Sequence, residues 1–137
     1  MTNPVEDVRK LGQSIWYDNM SRGLLSSGEL KGLIDGGVTG LTSNPTIFEK
    51  SITGSTDYDD ALLTLIGRSC GADETLEALV VEDIGGAADL LRPVYDHTNG
   101  ADGFVSVEVS PNLANDAERT IAEAERLFAS LGRPNVM

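Results

Sequence analysis

Gly103-Phe104-Val105-Ser106-Val107-Glu108-Val109 alternates strictly. Successive side chains of a strand point to opposite faces, so Val105, Val107 and Val109 share one face, and Phe104, Ser106 and Glu108 the other. A β-branched run of this kind predicts a strand. Its two faces ask for different surroundings. The valines suit packing against helices. A serine and a glutamate suit a polar cavity near the mouth of a barrel better than a second covering layer of helices.

Working outward, the chain repeats one pattern. Ser14-Ile15-Trp16-Tyr17-Asp18 predicts a first strand, and Val38-Thr39-Gly40-Leu41-Thr42-Ser43 a second. Val5, Val8 and Leu11 predict a short entry helix. Residues 26–37 predict a helix with Ser27 as N-cap and Gly36-Gly37 as its close. Asn44-Pro45 is a helix start, because Asn caps well and Pro lacks an N–H that would be unpaired there anyway. Residues 59–66 have helical spacing. Leu76, Leu79, Val80, Ile84, Ala87, Ala88 and Leu91 continue it in a second helix that contains Gly85-Gly86, with Pro93 as a kink or end. His97 then falls in a loop. Asn115 with Glu118 predicts a capped start for a last helix, whose apolar stripe is Ala117, Ile121, Ala124, Phe128 and Leu131 and which Gly132 and Pro134 terminate.

Strands alternating with helices imply a parallel sheet. A doubly wound sheet and a (β/α)8 barrel both satisfy that order, and the polar face of residues 103–109 favours the barrel. Arg133-Pro134-Asn135-Val136-Met137 reads as a helix terminator followed by the opening of a fourth strand. Such a barrel takes about 250 residues. The 137 residues are therefore expected to form one domain without internal linkers: the first part of a barrel, strands one to three and the start of strand four.

The formal net charge is −12, and it is uneven. Residues 1–50 carry −1 and residues 51–137 carry −11. Such a surface repels phosphate backbones and anionic lipid, which argues against nucleic acid and membrane as partners. Cys70 is the only cysteine, so no internal disulfide can form and a reducing cytoplasm is the simplest setting. The stretch Met1–Asp7 has no basic region leading into an apolar run, as a secretory leader would.

Chemistry is expected where strands end. Asp18 and Glu108 would lie near one mouth, and two carboxylates in one cleft can divide acid and base roles. Either could also be a solvated strand-end acid. Glu108 stands out because an idle charge between two valines is costly to bury. Thr42 and Asn44 fall on one face and offer a hydroxyl and a carboxamide to sugar hydroxyls or a carbonyl, although Asn44 is equally explained as a helix cap. His97, the lone histidine, has no second ligand or nucleophile beside it. No metal-ligand spacing, phosphate loop or dinucleotide fingerprint occurs. The three lysines, Lys10, Lys31 and Lys50, all avoid the predicted strands. A glycosidase built on the two carboxylates is the weaker competitor, since Trp16 is the only sugar-stacking aromatic near them.

Leu11–Asn19, Gly37–Phe48 and Val105–Val109, in this order, closely resemble the transaldolase family in its longer bacterial branch. The resemblance implies a (β/α)8 barrel that transfers a dihydroxyacetone unit between sugar phosphates in the pentose phosphate pathway, through a Schiff base on a strand-four lysine and without metal or cofactor. It implies Asp18 as the acid/base for carbon–carbon cleavage and Glu108 as the group that assists water and proton movement. Thr42 and Asn44 would contact the dihydroxyacetone moiety or the catalytic water. In the family the lysine follows an Asn-Val-Met-like segment almost at once. The chain by itself is thus expected to be inactive and to associate through its open sheet edges. A fructose 6-phosphate aldolase-type lyase and a non-catalytic half-barrel that complements a partner chain are the alternatives.

Overall fold

Three short strands, Trp16–Asp18 (β1), Gly40–Thr42 (β2) and Phe104–Val105 (β3), make a parallel sheet in the order β1-β2-β3. The structure, a computed structural model, describes residues 3–137; Met1 and Thr2, at the head of the stretch read for a leader, lie outside them. The helices are Pro4–Lys10 (α1), Arg22–Ser26 (α2), Glu29–Asp35 (α3), Pro45–Gly54 (α4), Asp59–Gly67 (α5), Ala72–His97 (α6) and Ala117–Leu131 (α7), with a 3-10 turn at Pro111–Leu113. Among the described residues no helix is long and apolar enough to cross a membrane.

Asp18 pairs with Thr42, and Leu41 with Val105, so the strands end at one edge in step. Beyond β3, Val105 bridges Val136 in parallel, with Met137 N–H donating to Val105 O at 3.0 Å and Val107 N–H to Met137 O at 2.9 Å. This is the predicted opening of a fourth strand. Leu41, Val105 and Val136 face the helices and join Met20, Leu24, Leu30, Phe48, Ile84, Ala87, Ala88, Leu91 and Leu131 in one buried cluster. Each large aliphatic side chain so buried stabilises the fold by about 1.5–3 kcal/mol. On the other face the Trp16 indole lies across Gly40, where any Cβ would collide with the ring.

The helix starts follow local chemistry. Asn44 Oδ1 accepts from Ile47 N–H at 2.9 Å, with Pro45 next, as expected. Several expectations need correction. Residues 26–37 hold no single helix: Ser21 caps α2 by accepting from Leu24 N–H at 3.1 Å, and Gly28, at φ 79°, breaks the chain before α3. Ser27 therefore closes α2, and Gly28 takes the N-cap position of α3, although Ser27 Oγ still accepts from Glu29 N–H at 3.3 Å. The ladder of β3 covers only residues 104–105; after Ser106 N–H donates to Leu41 O, the chain pairs toward Met137 alone. Asp116, not Asn115, caps α7 through Arg119 N–H at 3.0 Å.

Helix α6 runs unbroken through Gly85-Gly86 and Pro93, and His97 is its last residue, not part of a loop. The glycines make room for neighbours: a Cβ on Gly85 would come within 3.2 Å of the Arg133 guanidinium, and one on Gly86 within 3.3 Å of Leu25. Helix α7 buries Leu127 and Leu131, while Ile121 and Phe128 from the predicted stripe stay 60% and 49% exposed. A double ion pair accompanies this rotation. Arg126 meets Glu77 of α6 at 2.7 Å through both nitrogens of its fork, and Glu123 of its own helix.

Candidate functional site

The four residues singled out from the sequence all lie at the C-terminal edge of the sheet, in two pairs. Asp18, the last residue of β1, accepts from Thr42 Oγ1 at 2.6 Å. Register alone brings them together, since parallel pairing sets Asp18 beside Thr42 and side chains at paired positions share a face. Asn44 and Glu108 form the second pair. Both line an open groove of about 340 Å³ with Phe48, Val80, Ser110 and Asn112 among its walls. Asp18 and Thr42 do not line that groove. The edge carries them toward the face where Trp16 crosses Gly40, away from the helix layer.

Glu108 differs from its sequence reading in two respects. It shares its groove with Asn44 and not with Asp18, so the two carboxylates do not line one cleft. It is also exposed, while Val107 and Val109 on either side are half-buried, so its charge bears no burial cost. The groove around it is acidic. Asp73, Glu77 and Glu123 also line it, and Arg126 neutralises part of that charge. The Arg126 hydrogen bonds hold the Glu123 carboxyl below the usual carboxylate range. Asn44 uses its oxygen as the cap of α4, which leaves the amide nitrogen as its donor to a ligand.

Other residues shape this edge without a signal in the sequence pattern. Ser43 is buried and donates to Ser106 O at 2.9 Å, tying the end of β2 to the segment that leads to Glu108. Its position beside the paired Thr42 and Asn44 was the only hint. At the opposite edge, Ser14 Oγ donates to Asp102 at 2.7 Å, and Asn135 Nδ2 donates to Ala88 O at 2.8 Å and Gly103 O at 3.0 Å. Those contacts set the strands' relative heights.

His97 is exposed at the end of α6. Lys10 pairs with Asp7 and Lys31 with Asp35, both within their own helices, and Lys50 lies exposed on α4. No three His, Cys, Asp or Glu side chains among the described residues are grouped so as to hold a metal ion.

A parallel sheet with helices between its strands, and polar side chains gathered at the strands' C-terminal ends, has the layout of the β/α enzymes. Sequence comparison carries this to a family. Residues 15–137 match the family described as Transaldolase/Fructose-6-phosphate aldolase, and the chain belongs to it. It is 47% identical over 138 residues to the protein named Transaldolase of Trichodesmium erythraeum (strain IMS101), which aligns with 100% of this chain and 36% of that relative. Identity to the Acidothermus cellulolyticus Transaldolase is 48%, over 99% of this chain and 37% of the relative. For the Neisseria gonorrhoeae Transaldolase it is 44%, over 97% and 38%. The chain thus spans little more than a third of the length of these relatives.

Proposed function

We propose that this chain supplies the first three strands, and the opening of the fourth, of a transaldolase-type (β/α)8 barrel. The assembled barrel moves a dihydroxyacetone unit between sugar phosphates through a Schiff base, in the cytoplasmic pentose phosphate pathway. In this reading Asp18 exchanges the proton when the carbon–carbon bond breaks and forms. Thr42, which donates to it at 2.6 Å, keeps the carboxylate oriented and touches the bound three-carbon unit. Glu108 assists water and proton movement as the imine forms, and Asn44 offers its amide nitrogen to substrate or water. The substrates are sugar phosphates; the acidic surface disfavours nucleic acid and anionic membrane.

One observation supports this reading most: the Asp18–Thr42 hydrogen bond at the shared C-terminal edge of parallel strands, in a chain of this family. All three lysines here lie on helices, two of them in ion pairs, which supports the view that the chain alone does not form the imine.

The test has two arms. The pure chain is assayed with fructose 6-phosphate and erythrose 4-phosphate, and no turnover is expected. It is then mixed with the remaining C-terminal portion of the Trichodesmium erythraeum relative, which is expected to restore turnover and borohydride trapping of a ketose phosphate. Asp18→Asn should abolish the restored turnover. Turnover by the chain alone refutes the inactivity, and full restored activity in D18N refutes the role of Asp18. Restored cleavage of fructose 6-phosphate with no acceptor present would favour the aldolase-type lyase. A second reading, a non-catalytic half-barrel that complements a partner chain, draws on the free edge at Val136 and the exposed Ile121 and Phe128. Association with the C-terminal portion and no trapped adduct is its signature.

A further inference from the structure

The segment that follows Asp18 is tied to helices from a distant part of the chain. Met20 is fully buried, and its carbonyl accepts from Ser51 Oγ of α4 at 2.8 Å. The backbone N–H of Arg22 donates to Tyr58 Oη at 2.9 Å, and that hydroxyl donates its own proton to Asp83 at 2.8 Å. The Arg22 side chain donates from Nε to Asp83 at 3.0 Å and from Nη2 to Glu82 at 2.6 Å. Its guanidinium stands 4.9 Å from the centre of the Tyr58 ring. Gly23 completes the set: a Cβ there would come within 2.7 Å of an Asp57 carboxylate oxygen.

Tyr58 and Asp83 are 0% and 1% exposed, just before α5 and within α6. A carboxylate in that position is expensive to desolvate, and well-packed apolar residues would stabilise the helices as well or better. What the cluster supplies is a defined place for the main chain of Arg22. The Tyr58 hydroxyl is the pivot, because it bonds the main-chain N–H of Arg22 and the Asp83 carboxylate at once, whereas the second link to Asp83 runs through the flexible Arg22 side chain. Four residues upstream, Asp18 meets Thr42.

We infer that Tyr58 and Asp83 are positioning residues that hold the Asp18 loop in register with β2, so that α5 and the middle of α6 serve the strand-end site. The importance of that placement rests on the reading of Asp18 as the acid–base group, but the placement can be measured without turnover. Amide hydrogen exchange and 1H–15N spectra are recorded on this chain and on Tyr58→Phe, which keeps the ring and its packing. Exchange at Asn19–Arg22 is expected to quicken by about tenfold or more, with shifted Asp18 and Thr42 signals, while Ile84 and Leu91 stay within about twofold of wild type. A merely structural cluster would loosen Ile84 and Leu91 together with the loop, or move neither, and either result overturns the inference. Arg22→Lys keeps the backbone donor to Tyr58 and a positive charge beside Asp83. Its loop amides are expected to stay within about threefold of wild type, and loosening equal to that of Y58F overturns the role given to the hydroxyl. Loss of the catalytic reading in the D18N assay would leave these results standing.

Discussion

The two faces of α7 are built from similar residues and have opposite fates. Leu127 and Leu131 are buried, whereas Ile121 and Phe128 stand in solvent, Phe128 beside Val107, Val109 and Met137. The same contrast runs through the sheet. Leu41 and Val105 have neighbours on both sides and none of their surface is exposed, while Met137, at the free edge, is 63% exposed. Hydrophobicity alone did not decide burial at these positions. An apolar side chain is buried only where another element lies across it, as one does over Val136, 4% exposed, beside Met137 in the same edge segment.

Truncating the covered side should have the largest effect. Leu91→Ala and Ile84→Ala are each expected to cost about 2–5 kcal/mol in urea unfolding, whereas Ile121→Ala should change stability by less than about 0.5 kcal/mol. Equal costs at Ile84 and Ile121 would erase the distinction between the two sides. Next comes Asn135, which is fully buried between Ala88 O and Gly103 O and whose own oxygen has no partner. Asn135→Ala should cost about 1–3 kcal/mol, because two carbonyls lose their donor. A neutral result would show that water reaches them.

Acid sharpens the comparison, because buried and exposed carboxylates respond with opposite sign. Hydrogen bonds from Arg133 hold Asp89 below its ordinary range, as those from Arg126 hold Glu123. Their contribution is present above about pH 4 and lost as the pH falls further. Asp83 runs the other way. Burial pushes its carboxyl up against the opposing pull of Tyr58 and Arg22, so its contribution is greatest when protonated and declines as the pH rises through that raised value. Urea midpoints measured against pH should lose part of the acid limb in Arg133→Ala and part of the decline toward neutrality in Asp83→Asn. Identical profiles for the two variants would contradict these assignments. The smallest effect on stability belongs to Phe128→Lys. It should leave the unfolding free energy in urea unchanged within about 0.5 kcal/mol and lower the self-association expected of the open sheet in size-exclusion chromatography. Unchanged association would show that the exposed face of α7 is not what brings chains together.

Much of the strand-end site was legible because it depends on short-range rules. Asn44-Pro45 states its own helix start, although the two-residue period of residues 38–44 wrongly put Asn44 on the face of Thr42: β2 ends at Thr42 and Asn44 turns into the α4 cap beside the groove. The pairing of Asp18 with Thr42 needs only parallel strands in step. Glu108 was placed at the correct edge, but the burial cost argued for its charge does not arise, since alternation says nothing about whether a covering element exists. The Arg22–Tyr58–Asp83 cluster left no trace in the sequence pattern. Its members are separated by 36 and 25 residues, and a buried Asp inside a helix reads like any surface acid until its partners are known.

Periodicity and turn chemistry by themselves determined the alternation of strands with helices, the parallel sheet and the edge on which the polar residues gather, because each depends on contacts between near neighbours or on one repeated strand–helix unit. Only the tertiary structure decided the rotation of α7, the continuation of α6 through Pro93 to His97, and the anchoring of the Asp18 loop. Those outcomes turn on which distant side chains meet, and contacts across 40 or 60 residues are settled by packing and by pairing of buried charge, neither of which has a period that a linear chain can display.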